Sequence, residues 1–335
     1  MSHDNDIVKE NVMGKLPPNK TRRGQMIRNK LKKFTVMYQN IRGAKSKYNS
    51  LLDKVEEIGP TLICLTETHL LDIEKFPIEG YEDPYRHDRD NLGGGILIGI
   101  KKELKNICTV VEKSSEVGEM MWLVLDNNRI KLRIGVIYAP QESRTTKEQL
   151  KLMYEKIGEQ ISLAREKKQK VLMLGDFNCK IGEKIIGNRT DVTKGGKMLL
   201  KLVDRNRLTI LNSNEKCHGL WTRVENGNKS VLDYVIVDEE SNPALCSMNI
   251  DEKREFSPIG YDKQGNPVQS DHNVIVCNFN WLIDEDRLRE HERKTITEKG
   301  WARIRKEMEE TQISAVLSTG NSQEKYTEWK KWSMM

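Results

Sequence analysis

The stretch from Val171 to Asn178 ends an apolar run with two polar residues whose types and spacing suit chemistry. Its sequence is Val-Leu-Met-Leu-Gly-Asp-Phe-Asn, and four consecutive apolar residues predict a strand buried on both faces. Gly175 lets the backbone turn, and Asp176 and Asn178 are expected to point to the same side as they leave the strand. This pair predicts a ligand or reaction site, because ligands in α/β folds gather at the carboxyl ends of strands. An Asp-x-Asn turn that only closes a strand is the alternative interpretation.

Polar residues recur where the other apolar runs of the chain begin or stop. Carboxylates, amides, a phenol and an imidazole at so many strand ends favour one shared site over separate solvent-exposed turns. Hard oxygen ligands without a cysteine cluster are suited to Mg²⁺ or Mn²⁺. The residues in these positions are Asn40, Glu67, Tyr138, Asp176, Asn178, Asp233, Asp271 and His272.

The hydrophobic pattern indicates the elements that must position these residues. Helices are expected around 48–55, from Thr146 to Ala164 with a Thr-x-x-Gln capping signal, and near 197–206. The consecutive strand-like runs from 93 to 138 predict an antiparallel meander. Because strands greatly outnumber helices, the pattern predicts two packed mixed β-sheets flanked by helices. The strands are expected near 34–38, 61–66, 93–100, 107–111, 121–125, 130–138, 171–176, 208–211, 232–237 and 274–279.

Composition narrows the class of protein. The 335-residue chain is 32% charged and 37% apolar, and no run approaches the roughly 18 apolar residues that a membrane span requires. Its first residues lack the basic-then-apolar pattern of a secretory signal, so no membrane partner is expected. Six scattered cysteines without Cys-x-x-Cys spacing predict free thiols in a reducing compartment.

Charge is distributed unevenly along the chain. The net charge of +6 and the pI of about 8.8 favour a polyanionic partner. Residues 1–33 are expected to form a basic arm for nuclear import or nucleic-acid binding, or else a solvated disordered tail. Residues 34–280 are expected to form the folded domain, and residues 281–335 a charged helical tail. Within the arm, the segment from Lys15 to Lys33 has no acidic residue and carries Lys15, Lys20, Arg22, Arg23, Arg28, Lys30, Lys32 and Lys33.

Seven short motifs accompany these strand ends along the chain. They are Asn40-Ile-Arg, Leu65-Thr-Glu67-Thr, Gly93-Gly-Gly, Tyr138-Ala-Pro140, Gly175-Asp-Phe-Asn178, Leu232-Asp233-Tyr and Ser270-Asp271-His272. Their order is typical of the endonuclease/exonuclease/phosphatase superfamily, which the chain resembles over roughly residues 34–280. Two further segments, Tyr85-Arg-His-Asp-Arg89 and Trp221-Thr-Arg, make it most similar to the apurinic/apyrimidinic-type endonuclease domain of LINE-type non-LTR retrotransposons and to craniofacial development protein 2-like proteins.

The resemblance implies a DNase I-like, four-layered α/β sandwich in which these strand ends meet in one cleft. It implies that Glu67 binds Mg²⁺, with Mn²⁺ as the alternative ion, and that Asn40 and Asp271 lie close to the metal. Asp176 would deprotonate the attacking water, and His272, held by Asp233, would contact the scissile phosphate. The implied hydrogen-bond donors to the phosphate are Asn178 and Tyr138.

Three further residues are candidates for contacting DNA. Arg86 and Arg89 are expected to bind phosphates from a hairpin loop, although ordinary solvated charges have the same pattern. Thr222 is expected to approach the phosphate. The triple glycine at 93–95 lacks the strand-loop-helix context of a nucleotide-binding loop, so we interpret it as a closely packed strand start.

The function implied is a Mg²⁺-dependent endonuclease that nicks double-stranded DNA by water attack and leaves a 3′ hydroxyl. Its expected location is the nucleus, with the cytoplasm as the alternative. No aromatic-x-Asp-Asp signature of a reverse transcriptase occurs in the sequence, so any such partner would be a separate chain. Two alternatives remain: a phosphodiesterase or phosphatase of the same fold acting on RNA, phospholipid or inositol phosphate, and a non-catalytic nuclear DNA-binding protein. The sequence does not indicate an oligomeric state.

Overall fold

A computed structural model of the chain describes residues 31–89, 93–126, 130–185 and 191–284. Most of the expected basic arm and of the expected helical tail therefore lies outside the described residues. The first strand begins at Leu31 and the last ends at Asp284, where the two pair with each other. The sheet thus extends slightly beyond the domain limits of 34 and 280 expected from the sequence.

Three α-helices occur in the described ranges, and local signals explain their ends. Helix α1 (Tyr48–Ile58) stops at Gly59, which adopts a left-handed φ of 60°. Helix α2 (Lys147–Glu166) begins with the expected capping box: the Thr146 hydroxyl accepts the Gln149 N–H, and the Gln149 side chain accepts the Thr146 N–H. Helix α3 (Lys194–Arg205) starts earlier than expected because Thr193 caps it.

The strands of the described residues form two large sheets and two short hairpins. The first sheet has the order β10-β14-β17-β1-β2-β4-β3, and the second has the order β5-β6-β7-β8-β13-β9. The hairpins pair β11 with β12 and β15 with β16. The strands are β1 (Leu31–Asn40), β2 (Leu62–Thr66), β3 (Tyr85–His87), β4 (Ile96–Ile100), β5 (Cys108–Ser114), β6 (Glu119–Asp126), β7 (Lys131–Tyr138), β8 (Lys170–Asp176), β9 (Leu208–Ile210), β10 (Cys217–His218), β11 (Arg223–Glu225), β12 (Asn228–Ser230), β13 (Asp233–Asp238), β14 (Leu245–Ile250), β15 (Gly260–Tyr261), β16 (Pro267–Val268) and β17 (Ile275–Asp284).

Burial of three apolar clusters produces four layers. One cluster lies between the sheets and contains side chains of both, such as Val36 and Leu123. A second packs the outer face of the second sheet against α2 and α3, and a third packs the outer face of the first sheet against α1. The order helix, sheet, sheet, helices confirms the expected α/β sandwich of two mixed sheets. None of the described helices is long and apolar enough to cross a membrane.

The expected meander is correct for only three of its four strands. Strands β5, β6 and β7 are antiparallel neighbours in the second sheet. Strand β4 instead pairs with β2 and β3 in the first sheet, and a 3₁₀ segment over Lys102–Ile107 connects it to β5. All five residues of β4 are buried, so its apolar sequence is equally compatible with either sheet.

Candidate active site

The polar ends of both sheets meet at one place. In the second sheet, the parallel pairing of β7 with β8 sets Tyr138 beside Asp176, and the antiparallel pairing of β8 with β13 sets Asp233 on the other side. Gly175 permits this arrangement, because a Cβ there would lie 1.9 Å from the Ile137 carbonyl oxygen. Three chemically active side chains therefore occupy adjacent strands.

Asn40 connects this row to the first sheet. Its Nδ2 donates to Glu67 Oε1 at 2.8 Å and to Asp176 Oδ2 at 3.0 Å. Its backbone carbonyl accepts a 2.6 Å hydrogen bond from the Ser270 hydroxyl, next to Asp271 and His272. The amide is fully buried, so one side chain links the residue expected to bind metal with the residue expected to act as the base.

His272 lies between two buried carboxylates. Its Nδ1 is 2.8 Å from Asp233 Oδ2, and its Nε2 is 3.7 Å from Asp176 Oδ2. Burial lowers the pKa of His272, but the charges of Asp233 and Asp176 outweigh it and raise that pKa to about 9. Asp233 also accepts a 2.9 Å hydrogen bond from the Tyr38 hydroxyl. The imidazole is therefore held in one orientation as a cation.

Asp176 is a buried carboxylate whose surroundings shift its pKa in opposite directions. Burial raises its pKa, the His272 charge lowers it and the Asp233 charge raises it. The net shift is upward, which makes Asp176 a better proton acceptor than an ordinary aspartate. Asn178 follows in a left-handed conformation (φ 46°). Its backbone N–H donates to Asp176 Oδ1 at 2.9 Å, and its Nδ2 donates to the Ala139 carbonyl and to Asp176.

Glu67 occupies a strained turn immediately after β2. Glu67 and His69 both have left-handed φ values, of 51° and 53°, a conformation that is uncommon for non-glycine residues. Burial raises the pKa of Glu67, but hydrogen bonds from His69, Asn40 and Tyr138 lower it to about 2. Burial and the neighbouring Glu67 charge raise the pKa of Tyr138, so its hydroxyl stays protonated.

Asp271 has two arginine partners. Its Oδ1 lies 3.0 Å from Arg42 Nη1, and its Oδ2 lies 2.7 Å from Arg223 Nε. Burial raises the pKa of Asp271, but His272 and the two arginines hold it below its usual range. The structure thus places Asp271 next to His272, with each carboxylate oxygen bonded to a guanidinium group.

The three residues expected to contact DNA, Arg86, Arg89 and Thr222, differ in their burial and in their bonding partners within the protein. The Arg86 guanidinium is bonded to the Leu71 and Glu74 carbonyls and to Asp88. Arg89 Nε lies 2.6 Å from Oε1 of Glu119, which is buried. Thr222 is fully buried, and its hydroxyl accepts the N–H groups of Leu232 and Asp233 at 3.0 and 3.1 Å. These contacts favour a structural use of Thr222 in fixing the start of β13.

The donor set at the Glu67 end fits a hard divalent cation. Glu67 supplies an ionised carboxylate, and Asn40 Oδ1 is one of the buried polar atoms of the described residues that have no hydrogen-bond partner. A carbonyl oxygen beside a carboxylate is a ligand pair that Mg²⁺ and Mn²⁺ prefer. The buried Asp176, Asp233 and His272 also bring ligand atoms within 4.8 Å of one another. Asp233 and His272 already pair with each other, whereas the ionised Glu67 carboxylate and the unpartnered Asn40 Oδ1 could hold a metal ion.

Several neighbours of the site were not predicted from the sequence. His69 Nε2 lies 3.5 Å from Glu67 Oε2, and nothing in the sequence around His69 indicates this contact. Arg42 lies in the Asn40-Ile-Arg motif and Arg223 in the Trp221-Thr-Arg segment, but the sequence did not indicate that they would pair with Asp271. Tyr38 and Glu119 gave no signal beyond their position in apolar strands.

A separate cavity of about 610 Å³ lies at the opposite end of β8. It contains none of the expected site residues. Basic side chains from the ends of α2 and α3 line it, including Arg165 and Arg205, where cations offset the partial negative charge of helix C-termini. This cavity is therefore separate from the group of polar strand ends described above.

Comparison with known proteins identifies a related family over part of the chain. The profile of the endonuclease-reverse transcriptase family matches residues 132–276, a range that contains Tyr138, Asp176, Asp233 and His272. No curated protein matches the chain.

Solved structures share the fold at low sequence identity. The endonuclease domain of TRAS1, a telomere-specific non-LTR retrotransposon, is 15% identical with a TM-score of 0.50, over 74% of this chain and 98% of that one. The AP endonuclease LMAP from Leishmania major is 12% identical with a TM-score of 0.55, over 74% of this chain and 87% of that one. The 3′-5′ exonuclease NExo from Neisseria meningitidis is 14% identical with a TM-score of 0.55, over 74% of this chain and 100% of that one. The chain therefore shares the fold of these proteins, and the family match over residues 132–276 supports the resemblance to the endonuclease/exonuclease/phosphatase superfamily that its motifs predicted.

Proposed function

We propose that this protein is a Mg²⁺-dependent DNA endonuclease of the retrotransposon type. It nicks one strand of double-stranded DNA by in-line attack of water and leaves a 3′ hydroxyl. The observation that carries the proposal is the connected set of buried groups in which Asn40 links Glu67 to Asp176, and Asp176 adjoins the His272–Asp233 pair. Hydrolysis of a phosphodiester needs a base for water and positive charge beside the phosphate, and this set contains both.

Four residues of the site have separate roles in the proposed reaction. Asp176, whose pKa is raised, accepts the proton of the attacking water. His272, kept as a cation by Asp233, neutralises charge on the phosphate. Tyr138 donates from a hydroxyl that stays protonated, and Asn178 orients Asp176 through its N–H and donates to the phosphate from its amide. In the structure the Tyr138 hydroxyl bonds to Glu67, and the Asn178 amide donates to Ala139 and Asp176. Both donors would exchange these partners for the phosphate.

Glu67 and Asn40 would hold the cation, with Asp271 close by. When bound, a divalent cation supplies charge stabilisation at the phosphate and lowers the pKa of its water. Mg²⁺ is the proposed ion and Mn²⁺ the alternative, because Glu67, Asn40 and Asp271 all supply oxygen atoms.

Two further observations support DNA as the substrate. The chain carries a net charge of +6, and it shares its fold with the endonuclease domain of a non-LTR retrotransposon. A nuclear location follows from that substrate, and the basic residues between Lys15 and Lys33 are consistent with import. A separate reverse transcriptase is the proposed user of the 3′ hydroxyl.

The decisive experiment measures nicking of supercoiled plasmid with Mg²⁺ and with EDTA. We expect Mg²⁺-dependent relaxation, and Asp176→Asn and His272→Gln should each lower the rate by about 10²–10⁴-fold. Asp204→Asn, which alters an exposed carboxylate on α3, is the matched control and should nick like the wild type. Direct extension of the nick by a DNA polymerase tests for the 3′ hydroxyl.

An intact plasmid after incubation with folded, metal-binding wild-type protein would contradict the proposal. RNA, phospholipid and inositol phosphate substrates would then separate the other activities of this fold. Lack of hydrolysis of every substrate, together with DNA binding that survives Glu67→Ala, would establish a binding protein instead.

A further inference from the structure

The Gly93-Gly-Gly95 segment has a role that the proposed reaction does not use. Gly94 and Gly95 adopt φ values of 71° and 94°. A Cβ on Gly94 would lie 2.1 Å from Glu119 Oε1, and a Cβ on Gly95 would lie 2.4 Å from Thr68 Oγ1. The backbone here is therefore closely packed between a buried carboxylate and the turn that follows β2.

On one side, this glycine backbone holds the Glu67 turn. The Thr68 N–H donates to the Gly95 carbonyl at 3.3 Å, and the His69 N–H donates to the Gly94 carbonyl at 2.9 Å. The Glu67 carbonyl in turn accepts a 2.7 Å hydrogen bond from Gly43. Backbone contacts on both sides thus fix the turn in which Glu67 and His69 have left-handed φ values.

On the other side, the glycine backbone is held by Glu119, the first residue of β6. The Gly95 N–H donates to Glu119 Oε2 at 2.5 Å, and Arg89 Nε lies 2.6 Å from Glu119 Oε1. Glu119 is fully buried, whereas the Arg89 side chain is 46% exposed. Burying a carboxylate is costly unless a cation pairs with it, so the contact with Arg89 offsets part of the cost of burying Glu119 in this position.

We propose that Arg89 and Glu119 act as one positioning unit for the metal-binding carboxylate of Glu67, through the backbone of Gly94 and Gly95. This inference rests on the proposed function, in which Glu67 binds the cation. It differs from the expectation that Arg89 contacts DNA phosphate, because the unit acts on the metal site before any DNA is present. Outer partners that orient a metal ligand typically change metal affinity by 10–100-fold when they are removed.

The test measures the affinity of the full chain for Mn²⁺ in the absence of DNA. Calorimetry and the electron paramagnetic resonance signal of free Mn²⁺ give this affinity independently. We expect Arg89→Gln and Glu119→Gln each to weaken binding by about tenfold or more. The double variant should be no weaker than the worse single variant, since residues that act as a unit are not additive. Glu116→Gln is the matched control: Glu116 is exposed, lies on the segment just before β6 and pairs with Lys156, and its loss should leave Mn²⁺ binding unchanged.

Arg89→Gln keeps the test valid if Glu119→Gln does not fold, because the Arg89 side chain lies partly in solvent. Wild-type Mn²⁺ affinity in Arg89→Gln, with a loss of DNA affinity only, would overturn the inference and leave the proposed nuclease intact. Failure of the wild type to bind Mn²⁺ would instead overturn the proposed metal site, and with it the inference.

Discussion

His272 shows how single residues of this site couple ionisation to folding. The imidazole is nearly buried, and Asp233 and Asp176 raise its pKa to about 9 despite the opposing effect of burial. The same side chain in an unfolded chain has a pKa of about 6.5. Because the folded value is higher, the stabilisation from protonated His272 is fully present below about pH 6.5 and is lost as the pH rises through 9.

This linkage predicts a pH-dependent stability difference between the wild type and His272→Gln. In EDTA, the free energy of unfolding of the wild type relative to the variant should fall by up to about 3 kcal/mol as the pH rises from about 6 to about 10. Urea denaturation across that range measures it. Asp233→Asn should reduce the pH dependence, because it removes the charge that contributes most to the raised pKa. Parallel curves for the wild type and His272→Gln would show that the imidazole is not held as a cation.

At the scale of elements, the start of β13 is fixed by a residue outside it. Thr222 lies in the segment before β11, and its buried hydroxyl accepts the N–H groups of Leu232 and Asp233. Its own backbone bonds to Ser230 and to Asn273. Thr222 thereby joins the β11–β12 hairpin, β13 and the segment after His272, and so places Asp233 opposite the imidazole.

Thr222→Val should therefore lower the free energy of unfolding and the nicking rate, and should have little effect on the affinity for DNA. Two buried N–H groups lose their acceptor, at a cost of about 1–3 kcal/mol each in the free energy of unfolding. Thr222→Ser keeps the hydroxyl and should restore most of the nicking rate. Thermal unfolding, kcat and DNA binding by fluorescence anisotropy distinguish the effects. Thr146→Ala, which removes only the α2 cap at a cost of about 1 kcal/mol, controls for stability alone. A Thr222→Val protein as stable as the wild type but deficient in DNA binding would support the direct phosphate contact expected from the sequence.

The strands and their polar ends were partly predictable from the sequence, whereas their pairing was not. Buried strands such as 171–174 are unbroken apolar runs, and polar residues at their ends stand out, so the positions of Asp176 and Asp233 were predictable. The sheet to which β4 belongs was not, because periodicity encodes burial but not the pairing partner. The pairing of Asp271 with Arg42 and Arg223, and that of Glu119 with Arg89, depends on contacts between distant segments for which local pattern gives no signal.

At the scale of the whole molecule, the site lies where the polar ends of the two sheets meet. Asn40 ends β1 of the first sheet and Glu67 directly follows β2 of that sheet, whereas Asp176 and Asp233 belong to the second sheet. Asn40 bonds to residues of both sheets, and its buried Oδ1 has no partner in the described part of the chain. A cation bound at Glu67 and Asn40 would give this oxygen a partner and would bind only the folded arrangement.

Metal binding should consequently stabilise the whole fold. At a free ion concentration of about 100 times Kd, the free energy of unfolding should rise by about 2.7 kcal/mol, which for a domain of this size corresponds to a Tm increase of several degrees. Differential scanning calorimetry with Mg²⁺, Mn²⁺ and EDTA measures the shift. Glu67→Gln removes the ionised ligand and should abolish the shift, whereas Glu116→Gln should keep it. A Glu67→Gln protein that retains the full metal-dependent shift would place the cation elsewhere, with the close cluster of Asp176, Asp233 and His272 as the next site to test.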